Sequence, residues 1–334
     1  MIVARAPGKV VALGEYAVLD GGPAVVLAVD RFVDVEIAPN AAGICRLTMH
    51  SAETAERAFA PRESSGAGLV DLVTAAVTPP LPWTASIDSR ALFAGREKLG
   101  LGSSAAVLCA WAGAFAAFAR GQGRPVADLD LARLIDLHRA FQGGRGSGLD
   151  VAASYTGGAI RFSLDAAGVP QVGSVRLPKG VGFAGIFAGR SASTPELVAH
   201  YRAWRLNRPA EAAALLRRLT ALAEAGCAAA RGDDAAAWIE AFAAYGRSLG
   251  DLGEAIGVEV VTAEHLQIGD EARRFGVAYK VSGAGGGDLG LACATDSESL
   301  AAFTKRITDR GFRVINVSLA EHGLVVQQRA ERRP

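Results

Sequence analysis

The chain has 334 residues, half of them hydrophobic, and its 35 Lys and Arg nearly balance its 34 Asp and Glu, for a net charge of +1. This balance, without a basic stripe, argues against a nucleic-acid partner, and the length favours two domains. Four isolated cysteines form no Cys-x-x-Cys pair, which argues against a zinc site or a disulfide framework. Together with an N-terminus that does not resemble a secretory signal, they predict a reducing, cytoplasmic location.

An uncharged stretch covers residues 99–119 and is long enough to span a bilayer. It begins with Leu-Gly-Leu-Gly-Ser-Ser and is rich in Ala rather than Leu or Ile. A helix that is apolar on every face can also be the central buried helix of a sizeable domain. We therefore predict a core helix and no membrane partner.

The first half of the chain alternates short apolar runs with turn signals. Alternation and apolar runs predict strands at 2–5, 9–13, 24–29, 33–37, 47–50, 85–89 and 159–162. Helical spacing predicts helices at 67–77, 105–119 and 128–141, the last capped by Asp128 or Asp130. The stretch 51–83 is otherwise mixed, and 165–168 is predicted to be a turn.

The second half is dominated by Ala/Leu/Arg-rich segments of helical period. These predict helices at 195–205, 209–230, 233–252 and 259–275, followed by one at 297–310. Strands are predicted at 182–188, 277–281, 289–294, 313–318 and 324–328, with a frayed tail at 330–334. A boundary near 177–181 gives two predicted domains, 1–178 and 179–334.

A glycine-rich turn opens the apolar helix, in the sequence Glu-Lys-Leu-Gly-Leu-Gly-Ser-Ser-Ala-Ala-Val at 97–107. Such a turn presents unpaired backbone N–H groups at the positive end of the helix dipole, which favours phosphate. The hydroxyls of Ser103 and Ser104 would add hydrogen-bond donors, or a ligand for a nucleotide-bound magnesium ion. A helix N-cap after a tight turn is the alternative interpretation of the same stretch.

Two further glycine-rich stretches strengthen the interpretation as a phosphate site. Residues 142–154 carry four glycines in the six positions from 143 to 148, then Asp150, and 282–288 read Ser-Gly-Ala-Gly-Gly-Gly-Asp. No Gly-x-x-x-x-Gly-Lys-Ser/Thr stretch is present, which excludes a P-loop enzyme. The glycines near residue 100 do not form Gly-x-Gly-x-x-Gly, so a dinucleotide-binding fold is also disfavoured.

Three stretches carry a resemblance to a known superfamily: PGKVVALGEYAVL from residue 7, KLGLGSSAAV from 98 and SGAGGGDLG from 282. In this order and at these distances they resemble the GHMP kinases. Glu15-Tyr16 stands where mevalonate kinases usually have His after Glu, and is similar to the phosphomevalonate kinase branch. The resemblance implies an α+β, two-domain fold, with an N-terminal α/β domain, a C-terminal ferredoxin-like domain and the active site between them.

The implied reaction transfers the γ-phosphoryl group of ATP to the phosphate of 5-phosphomevalonate, with ATP and Mg²⁺ as cofactors and a phosphorylated small molecule as the partner. The residues that match the family's motifs imply the following site: catalytic Lys9 and Asp150; ATP-binding Lys98, Gly100, Leu101, Gly102, Ser103, Ser104 and Ala105, with Ser104 also on the metal; substrate-binding Glu15, Tyr16, Arg145, Ser147, Ser193, Gly283, Ala284 and Gly285. Ser193 can equally cap a helix.

The charge of the two reactants determines which of these residues matters most for catalysis. The acceptor phosphate is mostly dianionic at pH 7, since its second pKa is about 6, so bringing two polyanions together is harder than removing a proton. We therefore expect Lys9 to supply the cation, and Asp150 to matter more for position than as a base. The sequence departs from mevalonate kinases at Arg139, where they carry a magnesium-binding glutamate; Gln142 and His138 are near that position.

Three alternatives share these motifs: another GHMP small-molecule kinase such as mevalonate or homoserine kinase, an ATP-dependent decarboxylase of the same superfamily, and a non-catalytic ligand-binding relative. The intact Gly8-Lys9 disfavours the decarboxylase. The presence of Lys9, Asp150 and the loop glycines disfavours the non-catalytic relative. The sequence makes no prediction of the oligomeric state.

Overall fold

The computed structural model describes residues 1–77, 81–127, 129–144, 146–189 and 194–329. Its strands are β1 (Ile2–Leu13), β2 (Ala24–Pro39), β3 (Cys45–His50), β4 (Thr54–Phe59), β5 (Trp83–Asp88), β6 (Phe93–Ala94), β7 (Glu97–Lys98), β8 (Ala159–Leu164), β9 (Pro170–Ser174), β10 (Gly182–Phe187), β11 (Ala278–Val281), β12 (Leu289–Ala294), β13 (Arg313–Asn316) and β14 (Val325–Gln328). Its α-helices are α1 (Gly68–Val77), α2 (Ser103–Gly121), α3 (Leu131–Phe141), α4 (Leu149–Thr156), α5 (Thr194–Asn207), α6 (Pro209–Arg231), α7 (Ala235–Ile256), α8 (Ala263–Arg274) and α9 (Ser297–Asp309). Short 3₁₀ turns occupy Ala17–Asp20 and Arg90–Leu92.

Contacts divide the chain into two units that interleave in sequence. The first unit comprises 1–9, 28–158 and 320–334, and the second comprises 10–27 and 159–319. This division differs from the predicted boundary near residue 178. The reason is that β1 and β2 are long enough to contribute residues to both units, and the end of the chain returns to pair with the start of β1.

The first unit is built on β-sheet pairs covered by helices. Residues Ile2–Arg5 of β1 pair antiparallel with β14, and the second half of β2 pairs antiparallel with β5. Strand β3 lies between β5, to which it is parallel, and β4, to which it is antiparallel. Strands β3 and β5 and the second half of β2 carry alternating apolar side chains, as expected for a sheet with one buried face.

Helix α2 forms the core of the first unit. It contacts α1, α3, α4 and β14. The rings of Trp111 and Phe115 on this helix pack against Trp83 of β5, with centroids 5.2 and 6.5 Å away. Burying a side chain such as Phe115 contributes up to about 3 kcal/mol to the free energy of unfolding. These contacts explain why the helix is apolar on nearly every face.

Among the described residues, one helix, Ser103–Gly121, is long and apolar enough to cross a membrane, and 67% of its most apolar window is buried inside the fold. A core helix meets the same criteria of length and composition. The prediction of a buried central helix at 105–119 is confirmed, with two more residues at each end.

The second unit contains a four-stranded antiparallel sheet in the order β11-β12-β10-β13. In chain order these strands are connected as strand, helices, strand, strand, helix, strand, which is the ferredoxin-like pattern expected for the C-terminal part. One face of the sheet packs against α8 and α9, through Ile186, Ile268, Ala292, Phe303 and Ile307. The predicted fold class is therefore confirmed.

Most predicted elements are present, and each exception has a physical cause. The predicted breaks at 6–8 and 30–32 do not occur, because β1 and β2 continue through them. Strands β4 and β9 were not predicted, since most of their side chains are polar or exposed. Helix α3 begins after Asp130, whose carboxylate accepts a hydrogen bond from the N–H of Arg133 at 2.8 Å. The alternative cap, Asp128, and the predicted tail at 330–334 lie outside the described residues.

Candidate active site

In the first unit, the glycine-rich turn before α2 is held by the strand that carries Lys9. Gly100 and Gly102 both have φ of +72°, a conformation that favours glycine. The Lys9 N–H donates to the carbonyl of Leu101 at 2.8 Å. A Cβ at Gly102 would come within 3.0 Å of Lys9 Cγ and Cε, so the lysine stem lies directly on this glycine. The structure thus brings Lys9 and the predicted phosphate loop together.

The start of α2 leaves backbone donors available. Gly102 is the N-cap residue and offers no side chain to the first-turn N–H groups, and no acidic residue stands in that turn. The first N–H groups of such a helix have no partner within the helix, and they attract an anion. Ser103 and Ser104 are half-buried in this turn. Lys98, in contrast, is exposed in the short hairpin strand β7.

Asp150 stands in the first turn of α4, a helix that also begins after a left-handed glycine, Gly148. The Ser147 hydroxyl accepts a hydrogen bond from the N–H of Leu149 at 3.3 Å, and Asp150 Oδ1 accepts one from the N–H of Val151 at 2.9 Å. The Asp150 side chain is 22% exposed. It is therefore anchored at its base and open to a ligand.

His138, in the last turn of α3, connects the two predicted sites. Its Nε2 lies 3.0 Å from Ser104 Oγ, and its Nδ1 lies 3.9 Å from Asp150 Oδ1. The ring is 2% exposed. The sequence alone favoured a structural role for His138, because a lone histidine in an amphipathic helix is more often structural than functional. The signal that could have distinguished it is its position twelve residues before Asp150, on the helix that leads into the same loop.

Arg139, the departure from the mevalonate kinase pattern, has a clear local role. Its guanidinium donates to the carbonyl of Ser147 at 3.0 Å and to that of Gly146 at 3.3 Å. It also lies 3.6 Å from the Asp136 carboxylate. Arg139 therefore fixes the backbone of the loop before Asp150 and supplies no ligand for a cation.

In the second unit, the glycine-rich stretch 282–288 follows β11 and is anchored at several points. Gly283, Gly285, Gly286 and Gly287 all have positive φ. A Cβ at Gly285 would approach the Val260 carbonyl oxygen to 2.3 Å, so only glycine fits there. The Ser282 hydroxyl accepts from the N–H of Val11 at 2.9 Å and donates to its carbonyl at 3.0 Å. The loop is thus tied to the end of β1.

Beneath this loop lies a buried ion pair between Lys280 and Glu15, whose side chains are 0% and 2% exposed. Lys280 Nζ donates to Glu15 Oε1 and also to the carbonyls of Val281 and Val11, at 2.8 and 3.3 Å, which satisfies its three protons. Burial raises the pKa of Glu15 and lowers that of Lys280, and the opposite charge of each partner counteracts the shift.

Both predicted substrate residues of the Glu15-Tyr16 pair face the loop. Glu15 Oε1 accepts from the N–H of Gly283 at 3.4 Å, and the Tyr16 hydroxyl donates to the Ala284 carbonyl at 2.6 Å. Burial, reinforced by the charge of Glu15, raises the pKa of Tyr16. The structure therefore shows both side chains supporting the loop, while their predicted contact with substrate stays a prediction. Arg145 and Ser193, also predicted on the substrate, lie outside the described residues, as does Arg190.

The chain matches known proteins over nearly all of its length. Residues 84–158 match the family described as the GHMP kinases N terminal domain. A phosphomevalonate kinase from Streptomyces sp. strain CL190 is 32% identical, over 87% of this chain and 89% of that protein. The chain belongs to the GHMP kinases.

Solved structures of other proteins share the fold. A Streptococcus pneumoniae phosphomevalonate kinase in complex with phosphomevalonate and AMPPNP superposes with a TM-score of 0.78 at 20% identity, covering 96% of this chain and 100% of that one. The Methanococcus jannaschii mevalonate kinase superposes with a TM-score of 0.73 at 17% identity, covering 96% of this chain and 98% of that one. A Lin0012 protein from Listeria innocua superposes with a TM-score of 0.81 at 21% identity, covering 98% of this chain and 99% of that one. As a GHMP kinase, the protein is an ATP-dependent phosphotransferase.

The donor set of this GHMP kinase suits a magnesium ion that arrives with the nucleotide. Among the described residues, no group of three or more His, Cys, Asp or Glu side chains could hold a metal ion by itself. Mg²⁺ in such enzymes takes one or two protein oxygens together with substrate phosphates and waters. The Ser104 hydroxyl and the Asp150 carboxylate, both in contact with His138, are oxygen donors of that kind.

Proposed function

We propose that this kinase transfers the γ-phosphoryl group of ATP to the phosphate of 5-phosphomevalonate, giving 5-diphosphomevalonate and ADP. The observation that carries this proposal is the 32% identity to a phosphomevalonate kinase over 87% of the chain. The Glu15-Tyr16 pair supports the proposal, because this pair is similar to the phosphomevalonate kinase branch and its side chains shape the loop at 282–288.

In this reaction the terminal oxygen of the acceptor phosphate forms a bond to the γ-phosphorus. The bond from that phosphorus to the β–γ bridging oxygen breaks, and ADP leaves with the electron pair. A dianionic acceptor has no proton to lose, so the protein's task is to align two polyanions and offset their repulsion. Catalysis thus depends on cations and backbone donors more than on a base.

Lys9 is the cation we place between the two phosphate groups. Its backbone N–H bonds to Leu101 and its stem rests on Gly102, which directs the side chain along the phosphate loop. The backbone N–H groups at the start of α2 would bind the nucleotide phosphates. Asp150 orients Lys9 or the acceptor, a role that requires its position but not proton transfer.

Magnesium would be held by Ser104, with Asp150 near it, and would neutralise charge on the nucleotide phosphates. The acceptor contacts predicted for Ser147, Arg145, Ser193 and residues 283–285 form part of the same proposal. A cytoplasmic location and a phosphorylated small-molecule partner also follow from it.

The test is ADP release with ATP and Mg²⁺ against a panel of 5-phosphomevalonate, mevalonate, homoserine and galactose. Turnover with 5-phosphomevalonate alone is the expected result. Turnover with an unphosphorylated alcohol instead would contradict the proposal and make Asp150 the candidate base. Absence of turnover with every acceptor would favour the decarboxylase or the non-catalytic relative.

A further inference from the structure

His138 is a buried polar side chain whose two ring nitrogens contact two predicted site residues. The ring lies on α3, while Ser104 lies on α2 and Asp150 on α4. Nε2 is at hydrogen-bond distance from Ser104 Oγ, 3.0 Å, whereas Nδ1 is 3.9 Å from Asp150 Oδ1, a separation at which charge rather than a direct bond decides the interaction. One residue therefore connects the nucleotide side and the acceptor side of the first unit.

The carboxylate of Asp150 determines which ring nitrogen of His138 carries the proton. With the proton on Nδ1, the N–H dipole faces the carboxylate and the interaction is attractive. With the proton on Nε2, the Nδ1 lone pair would face the same negative charge. The first tautomer is therefore favoured, and it makes Nε2 a hydrogen-bond acceptor.

This tautomer determines the direction of the hydrogen bond made by the Ser104 hydroxyl. If Nε2 accepts, Ser104 must donate its only hydroxyl proton to His138, and both oxygen lone pairs then face away from the ring. A hydroxyl in that state cannot donate to a phosphate oxygen, but it can bind a cation. The sequence left open whether Ser104 binds phosphate or metal, and this contact distinguishes the two.

We propose that His138 is a positioning residue that holds Ser104 as a ligand for the nucleotide-bound magnesium ion, with Asp150 fixing the tautomer. The proposal rests on the ATP-binding part of the proposed function and is independent of the acceptor. Outer partners of metal ligands commonly orient them in this way, and their loss typically weakens metal binding 10- to 100-fold.

The test measures AMPPNP affinity by calorimetry with and without Mg²⁺, in the absence of any acceptor, for the full chain and two variants. His138→Asn keeps an amide near the Nδ1 position and loses the contact with Ser104. His138→Gln can place its amide oxygen near the Nε2 position and accept from Ser104. We expect the Mg²⁺-dependent gain in AMPPNP affinity to fall about 10-fold in His138→Asn and to stay within about 3-fold in His138→Gln.

Two controls separate this role from a general loss of packing. His265→Asn changes another buried histidine, in the second unit, and should leave the Mg²⁺-dependent gain unchanged. Ser104→Ala should reduce the gain as much as His138→Asn does, and the double variant should lose no more than either. Thermal unfolding without ligand reports whether each variant is folded.

An equal loss of AMPPNP affinity with and without Mg²⁺ in His138→Asn would overturn the proposal, because Ser104 would then act on phosphate. An unchanged Mg²⁺-dependent gain in that variant would also overturn it. If His138→Asn does not fold, His138→Gln and Ser104→Ala decide together. The proposal requires His138→Gln to keep the Mg²⁺-dependent gain and Ser104→Ala to lose affinity only with Mg²⁺. Because no acceptor is present, an incorrect choice of acceptor leaves all these outcomes unchanged.

Discussion

The two units each present a glycine-rich loop, but they support it with different chemistry. In the first unit, the turn at 98–105 rests on the stem of Lys9 and borders the contact between Ser104 and His138. In the second, the loop at 282–288 rests on the ion pair of Lys280 and Glu15, which is almost entirely removed from solvent. Lys9 in the first region remains open to a ligand, while Glu15 and Lys280 in the second are occupied by each other.

This difference indicates which residues can be changed without unfolding the protein. A half-exposed cation is hydrated without its ligand, so its removal costs little stability. A buried charge that loses its partner remains unpaired in a medium of low dielectric constant, which is strongly destabilising. We therefore expect substitutions in the first region to reduce activity alone, and substitutions in the second to reduce stability.

The largest effect is expected for Lys9→Met. Removing the cation between two polyanions should lower kcat by about 1,000-fold, the scale of one lost electrostatic contact in a transition state. The midpoint of thermal unfolding should stay near that of the parent protein, because Lys9 is only half-buried. Steady-state kinetics and a thermal melt check both. Near-parental activity would remove Lys9 from the mechanism.

Lys280→Met should lower the free energy of unfolding by about 3–5 kcal/mol, because it leaves the Glu15 carboxylate buried without its partner. Replacing both residues, as in Glu15→Met with Lys280→Met, should recover part of that loss. Urea unfolding measures each variant.

The matched control for Lys280 is Lys305→Met, which makes the same change on an exposed face of α9 in the same unit. It should shift the free energy of unfolding by no more than about 0.5 kcal/mol. A Lys280 variant as stable as this control would show that the buried pair does not support the loop.

Acid should affect the second unit through His265, which is buried and contacts the Tyr279 hydroxyl through Nδ1 at 2.7 Å. Burial lowers its pKa from 6.5 to about 4. Between pH 6.5 and 4, therefore, His265 binds a proton in the unfolded chain but not in the folded chain. The contribution of the neutral His265 to the free energy of unfolding is complete above pH 6.5 and is lost as the pH falls towards 4. Between pH 7.5 and 5 we expect a loss of about 2 kcal/mol.

His265→Gln should reduce this pH dependence, and the surface variant His200→Gln should retain it. Urea unfolding at the two pH values compares them. Equal pH slopes in the parent protein and in His265→Gln would contradict the assignment to His265.

The smallest effect is expected for Tyr16→Phe. It removes one hydroxyl and leaves the Ala284 carbonyl without that donor, which should cost about 1 kcal/mol of stability. The same change should raise the KM for the acceptor more than that for ATP, because the loop at 283–285 is predicted to contact the acceptor. Kinetics with each substrate varied in turn measure the two KM values. An equal rise in both would separate Tyr16 from acceptor binding.

Much of the fold could be predicted because its signals are local. The apolar stretch of α2, the Asp130 cap and the helices of the second unit follow from residues that are neighbours in the sequence. The three motifs that begin at residues 7, 98 and 282, together with their order, were enough to predict the superfamily and its two-part α+β fold. Strands β4 and β9 were missed, since a mostly exposed strand carries little hydrophobic pattern.

The supports of the loops could not be predicted, because they join residues far apart in the chain. Glu15 and Lys280 are 265 residues apart, and Ser104 and His138 are 34 apart. A lysine within an apolar strand was a signal that a buried partner must exist, but it does not name that partner. The division into units was also not predictable, because it depends on how far β1 and β2 extend.

³¹P NMR of the complete reaction shows whether the acceptor is a phosphate. With ATP, Mg²⁺ and 5-phosphomevalonate, we expect the acceptor's phosphomonoester signal to be replaced by the two coupled signals of a diphosphate monoester, in equal amount to the ADP formed. Formation of ADP with free orthophosphate, while the phosphomonoester signal persists, would contradict it.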